Sequence, residues 1–337
     1  MKNLHISKEE LGKWLDDMRQ DGRRVFAPVN KGTKVDFKIL EAGDTVANGY
    51  VQTAQSAKRI VFPLAEVLFS YKKSGKDVTV DDVDTGRFPE TIVWKLRPCD
   101  ARALVQVNKV FTSDYDDTIF EERRKRLTVV TFSCNECDEA CFCTSVGGGP
   151  GNTDGSDIQV TTLSDGGALV EVLTEKGKAL ADKYLGAAKE AVNINKADYL
   201  ADVKVRFSAE EVAKKLKTAF DSPVWKEQSE RCLGCGACAF VCPVCTCFDI
   251  QEDAHGSKGR RIRCWDSCGF AMFTQHTSGH NPRPTQATRW RQRILHKFSY
   301  LPEKLNETGC TGCGRCSRAC PVDMNISEHL KSIADHE

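Results

Sequence analysis

Apolar residues along this chain recur with two different periods. After Ser7, with Glu10 three positions on, Leu11, Trp14, Leu15 and Met18 repeat at helical spacing, so a capped amphipathic helix packs its apolar side on a core. TIVWKL (91–96) and LTVVTFS (127–133) are instead continuously apolar, as strands covered on both faces are, and the helix-like ARALVQVNKVF (101–111) lies between them. VDFKILE (35–41) and RIVFPLAEVLFSYKK (59–73) mix short strands with a helix-like stretch. DIQVTTL (157–163) and ALVEVL (168–173) alternate around Ser164-Asp165-Gly166-Gly167, which predicts a hairpin. A second capping box, Ser208 with Glu211, precedes a boundary near Asp221-Ser222-Pro223. An α/β (or α+β) domain is expected over 1–222 and a second unit over 223–337.

The second unit contains two near-identical runs, CLGCGACAFVCP (232–243) and CTGCGRCSRACP (310–321). Each reads C-x2-C-x2-C-x3-C-P, the pattern that holds a pair of 4Fe-4S clusters with the fourth cysteine of each run serving the other cluster. One set is then Cys232, Cys235, Cys238 and Cys320, and the other Cys310, Cys313, Cys316 and Cys242. Gly234, Gly236, Gly312 and Gly314 let the backbone wrap tightly, and Pro243 and Pro321 turn it away. Zinc knuckles pair two C-x2-C units across a long loop, whereas here three cysteines crowd into seven residues. Seventeen cysteines is an odd number for a disulfide framework, and the N-terminus lacks the apolar core of a signal peptide, so metal binding in a reducing cytoplasm is the expectation. This unit is expected to be a mainly α-helical, dicluster ferredoxin-like domain with an insertion at 244–309.

The strand TIVWKL ends at Arg97-Pro98-Cys99, and LTVVTFS ends at Cys134. Ligands of open α/β sheets bind beyond strand C-termini. Parallel neighbours would therefore bring Cys99 to Cys134, Cys141 and Cys143 in one crevice, where four thiolates make a third cluster. Whether Cys137 replaces Cys134 or stands beside the site is left open by the spacing. Gly147–Gly151 permits close backbone approach but does not match a dinucleotide fingerprint.

The insertion carries Cys245, Cys247, Cys264 and Cys268, either a fourth metal site or buried thiols beside the clusters. From Lys258 to Lys297 it holds nine Lys or Arg against one acid, Asp266, although the whole chain has a formal charge of +1. Three uses compete for these cations: compensating cluster charge while gripping an acidic partner, binding nucleic acid, or a solvated helix face at Arg289 and Arg293. His276, His280 and His296 are expected to be structural. No apolar run reaches the length of a membrane span.

RPCDARAL from Arg97, the C-x6-C-x-C of Cys134, Cys141 and Cys143, CPVCTCFD from Cys242, WDSCGF from Trp265, SGHNPRP from Ser278 and RQRILHKFSY from Arg291 resemble the sulfhydrogenase beta-subunit family, which also covers the A-subunit of anaerobic sulfite reductase. The resemblance runs from about Ser7 to Glu328. It implies an iron-sulfur subunit of an oxidoreductase complex of anaerobic metabolism, passing electrons between a flavin-bearing, NAD(P)H-oxidising partner and a terminal hydrogenase, sulfite reductase or heterodisulfide-reductase-like subunit. It also implies the Cys99, Cys134, Cys141 and Cys143 site, while Cys137 and Cys264 look like additions.

The sequence shows no P-loop, nucleophile elbow or acid-base carboxylate pair, so no catalytic residue is assigned. Cubanes carry one electron at a time, and a two-electron donor needs a flavin, expected on a partner subunit. Two alternatives come from other classes: a self-sufficient flavoprotein using the crevice beside Gly147–Gly151, and an iron-sulfur regulator using the basic insertion on DNA.

Overall fold

The computed structural model describes residues 2–335. Its main sheet has eight strands in the order β10-β1-β9-β8-β7-β6-β2-β3. These are β1 (Lys2–Ile6), β2 (Val25–Lys31), β3 (Lys34–Ile39), β6 (Thr91–Leu96), β7 (Leu127–Phe132), β8 (Ile158–Thr162), β9 (Ala168–Val172) and β10 (Lys189–Glu190). Strands β2, β6, β7 and β8 run parallel and the rest are antiparallel. TIVWKL and LTVVTFS are therefore parallel neighbours, as expected.

Their unbroken apolarity has a simple cause. Ile92, Trp94, Val130 and Phe132 face a core shared with Trp14 and Met18 of α1 (Lys8–Gln20) and with Leu180 of the helix Glu175–Tyr184. Val93, Leu96, Leu127 and Val129 face the opposite core, built with Leu104, Val107 and Phe111 of α2 (Pro98–Phe111). The apolar residues of these strands are thus covered on both faces of the sheet, and polar alternation would leave unpaired groups in a core. The Ser7 and Glu10 capping box is present at the start of α1. At Ser208 only half of one forms: its hydroxyl accepts from Glu211 N at 3.2 Å, while the side chain of Glu210 takes the hydroxyl proton.

A second sheet joins distant parts of the chain. The hairpin β4 (Ala65–Ser74) and β5 (Asp77–Asp82) pairs through β4 with a hairpin from the insertion, β11 (Phe248–His255) and β12 (Lys258–Trp265), giving the order β11-β12-β4-β5. The stretch expected to be partly helical after Arg59 is one 3-10 turn and then β4, because Pro63 ends the turn and β12 supplies a partner strand. The C-terminal half accordingly holds two eight-residue strands as well as its short helices. Arg263 of β12 bonds Glu66 of β4 at 2.6 Å and also reaches Asp117, so this seam encloses a buried ion pair.

A third core surrounds the cysteine runs. Trp225, Trp290, Ile294, Phe298, Met324 and Leu330 close around Phe142, which comes from the loop between Cys141 and Cys143.

Candidate iron-sulfur relay site

The two C-x2-C-x2-C-x3-C-P runs fold alike. Each begins with two left-handed glycines, Gly234 and Gly236 or Gly312 and Gly314, and continues as one helical turn, Ala237–Phe240 or Arg315–Arg318. At Gly312 and Gly314 the absent side chain matters twice, because a Cβ would also lie 2.5 Å from Cys143 N and 2.4 Å from Ala140 O.

Cys232, Cys235, Cys238 and Cys320 line one cavity, and Cys242, Cys310, Cys313 and Cys316 line another, with Cys316 touching both. The last cysteine of each run thus meets the first three of the other. Neither cavity is lined by His, Asp or Glu, and an all-sulfur donor set suits iron-sulfur clusters. Among the described residues no three His, Cys, Asp or Glu side chains converge as a single ion requires.

The thiols are surrounded by donors. Gln286 Nε2 donates to Cys232 Sγ at 2.9 Å, Lys297 Nζ to Cys242 Sγ at 3.4 Å, Met324 N to Cys320 Sγ at 3.2 Å and Gly312 N to Cys310 Sγ at 3.4 Å. Burial pushes the Cys310 thiol up to about 11 and Cys316 up to about 12. Cys242 goes the other way, well below an ordinary thiol, because Cys245 donates to it and Lys297, Arg293 and Lys58 face it. Arg293 and Lys297 are 5% and 4% exposed and have no carboxylate partner among the described residues. Burial opposes their charge, but the surrounding cysteines outweigh it: Cys238 and Cys245 hold Arg293 protonated, and Cys242 and Cys245 hold Lys297.

The sheet edge carries the third group. The left-handed Lys95 makes a bulge at the end of β6, after which Arg97 starts α2 with Cys99 in its first turn. Cys134 follows β7, tied by its N–H to Pro150 O at 2.9 Å. Burial raises Cys134 to about 11 and Cys143 to about 12, and the neighbouring Cys134 and Cys141 add to the shift at Cys143. Cys99 is raised too, first by burial and then by Asp100, Cys313 and Cys134. Cys134, Cys141 and Cys143 thus act on one another, and Cys99 faces Cys134 and Cys313. Cys137 is exposed on the outside of this loop, donating to Asp202 O at 3.5 Å.

This group abuts the Cys310 run directly. Phe142 N bonds Gly312 O at 2.9 Å, and Arg318 donates to Cys141 Sγ at 3.4 Å. Arg315 forms a bidentate pair with Asp100, both contacts at 2.6 Å and both side chains buried. The same guanidinium holds Gln52 Oε1 at 2.6 Å, leaving Gln52 Nε2 to donate to Cys99 Sγ at 3.2 Å. Sequence reasoning missed Gln52, Lys58, Asp100 and Arg315. Asp100 and Arg315 stand inside the motifs RPCDARAL and CGRC, where the signal was a charge at a position due for burial.

The remaining expectations divide. Cys245, Cys247 and Cys268 lie near the clustered cysteines, whereas Cys264 lies on β12 across from Gln251 Oε1 at 3.9 Å. Much of the basic stretch points inward: Arg263 to Glu66, Arg293 and Lys297 to thiols, Arg291 onto Phe220 at 3.7 Å. Arg293 is thus no solvated helix face. Arg289 bonds Gln286 and the carbonyls of Arg283 and Pro284. Burial lowers His296 to about 4, and His276 packs edge-on against His280. In the Gly147–Gly151 loop Arg102 lies against Gly148 and Leu200 against Gly151, while the space beside Gly149 is open.

Residues 231–324 match the model of a 4Fe-4S dicluster domain. Over 99% of its length the chain is 30% identical to the Sulfhydrogenase 2 subunit beta of Pyrococcus furiosus, covering 98% of that protein. It is also 24% identical to the F420-dependent formate dehydrogenase subunit beta of Methanocaldococcus jannaschii, over 48% of this chain and 37% of that one. No solved structure matches. No helix among the described residues is long and apolar enough to cross a membrane.

Proposed function

We propose that this chain, which belongs to the sulfhydrogenase beta-subunit family, relays single electrons through three 4Fe-4S clusters in series. Cys232, Cys235, Cys238 and Cys320 hold one, Cys310, Cys313, Cys316 and Cys242 the second, and Cys99, Cys134, Cys141 and Cys143 the third. The observation that carries this reading is the direct contact of the Cys141–Cys143 loop with Gly312, which sets the sheet-edge group against the Cys310 set.

When bound, such clusters take up and release one electron each without bond rearrangement. The chain's own residues fix their places and potentials. Lys297 and Arg293 stabilise added negative charge by being buried beside the cysteines with no carboxylate partner among the described residues, and Gln286 and Gln52 donate to individual cysteine sulfurs. Asp100 cancels Arg315, so the pair locks the Cys310 run to the sheet edge with little net field. The core around Phe142 keeps water from the thiols between the two.

One-electron carriers facing a two-electron donor need a flavin, which we place on an NAD(P)H-oxidising partner; the other end of the relay then meets a hydrogenase, sulfite reductase or heterodisulfide-reductase-like subunit. The relay works in the cytoplasm on this reading. Iron analysis of the anaerobically purified chain tests it: three clusters give about twelve iron atoms per chain, and about eight would remove the sheet-edge cluster. Cys99→Ser should then lose about four iron atoms while the dicluster signals persist.

A further inference from the structure

Cys245, Cys247 and Cys268, from CPVCTC and WDSC, are not used by the relay, and two of them meet at the base of the insertion hairpin. Cys247 immediately precedes β11 and Cys268 lies three residues beyond β12, so the hairpin register, Phe248 opposite Trp265, brings both to its base. Asp266 N bonds Cys247 O at 3.0 Å and closes that end. There the two thiols face each other, each acting on the other's protonation. Neither of the two cavities among the cysteine runs is lined by Cys247 or Cys268. Two thiols brought together at the closed end of a hairpin, outside both cavities, are placed for a sulfur-sulfur bond.

Their surroundings point the same way. Arg293, which donates to Cys238 O at 3.0 Å and Cys245 Sγ at 3.7 Å, also acts on the Cys268 thiol. Lys297 adds a second buried cation. Both residues are half-buried, not sealed in the core.

We propose that Cys247 and Cys268 are a redox-active dithiol that exchanges with low-molecular-weight disulfides at the base of the insertion hairpin. The Cys268 thiolate attacks one sulfur of the disulfide RSSR, forming a mixed disulfide and releasing RS−. Cys247 then attacks Cys268 Sγ, its proton leaving with the second RS− as RSH, and the Cys247–Cys268 bond forms. Two electrons pass from the pair to the reagent, and no electron is drawn from a cluster. The thiol proton, shared within the pair and held by Cys247, leaves Cys268 depressed to about 6, first by the Cys247 donor and then by Arg293 and Lys297, which suits it to the first attack. Oxidation removes an anion facing Arg293, and the guanidinium then acts more strongly on the Cys238 side.

The test uses full-length chain purified anaerobically with its clusters and treated with oxidised glutathione. After alkylation of free thiols and digestion, the expected product is a cross-linked Cys247–Cys268 peptide pair, reversed by dithiothreitol, with iron content unchanged. The midpoint potential of the cluster signal lost in Cys235→Ser should rise on oxidation. In Cys247→Ser, Cys268 should instead retain one glutathione. Recovery of both cysteines alkylated and unlinked after treatment would overturn the proposal. So would loss of about four iron atoms per chain in Cys268→Ser, because that would make Cys268 a cluster ligand.

Discussion

The two cysteine runs share a sequence pattern and a backbone path but differ in their surroundings. In the Cys310 run, residues 311–315 are all buried, whereas in the Cys232 run Leu233 is 68% exposed and Cys235 is exposed as well. The difference lies at the positions between the cysteines. Arg315 and Arg318 grip Asp100 and Asp138 at the sheet edge, where the other run has Ala237 and Phe240. One motif thus makes both an inner station, locked to the N-terminal sheet, and an outer one at the surface. On the proposed relay, the spacing supplies the cluster chemistry and the residues between the cysteines assign the position.

The strongest way to break this contrast is at Arg315. Arg315→Leu leaves Asp100 buried and unpaired, which should cost about 3–5 kcal/mol in anaerobic denaturant unfolding, while the Arg315→Leu, Asp100→Leu double variant recovers part of it. A loss under about 1 kcal/mol would mean the inner run is not held by this pair.

Glycine substitutions sharpen the same point. Gly234→Ala and Gly312→Ala both force a left-handed alanine, at roughly 1–2 kcal/mol. Only Gly312→Ala also meets backbone, at 2.5 Å, whereas at Gly234 the nearest atom is the movable end of Gln286 at 3.0 Å. Gly312→Ala should therefore be the worse by roughly 1–3 kcal/mol and should disturb the sheet-edge cluster signal as well.

Acid should loosen the outer side first. His329 packs on Trp290, which lines the Cys232 cavity, and burial holds its imidazole neutral to about 4. The unfolded chain protonates nearer 6.5, so stability falls as pH drops from about 6.5 towards 4. His329→Phe should flatten that slope by on the order of 1 kcal/mol, measured as unfolding free energy against pH. The smallest effect is expected at Leu233→Ser, within about 0.5 kcal/mol of wild type, because the side chain is mostly in water.

What the sequence showed follows from where its physical constraints were local. The paired apolar strands were readable because both of their faces are covered, and the cysteine spacing because a cluster dictates it. The hairpin at Ser164–Gly167 was readable from its turn residues. The pairing of β4 with β12 was not, since it joins segments nearly two hundred residues apart and nothing in either strand names the other. For the same reason the basic insertion looked like a docking surface, although Arg263, Arg293 and Lys297 are buried against partners from elsewhere in the chain. Lys58, whose ammonium sits 3.8 Å over Trp265, gave no local sign of its place beside Cys245.

The most direct test of the central claim, that the sheet-edge cluster is wired to the inner run, is magnetic coupling between reduced clusters in anaerobic electron paramagnetic resonance spectra. The account predicts that the signal abolished by Cys99→Ser is broadened by its neighbour in the wild type and sharpens in Cys313→Ser, while Cys235→Ser leaves it broad. Sharpening in Cys235→Ser with no change in Cys313→Ser would contradict it.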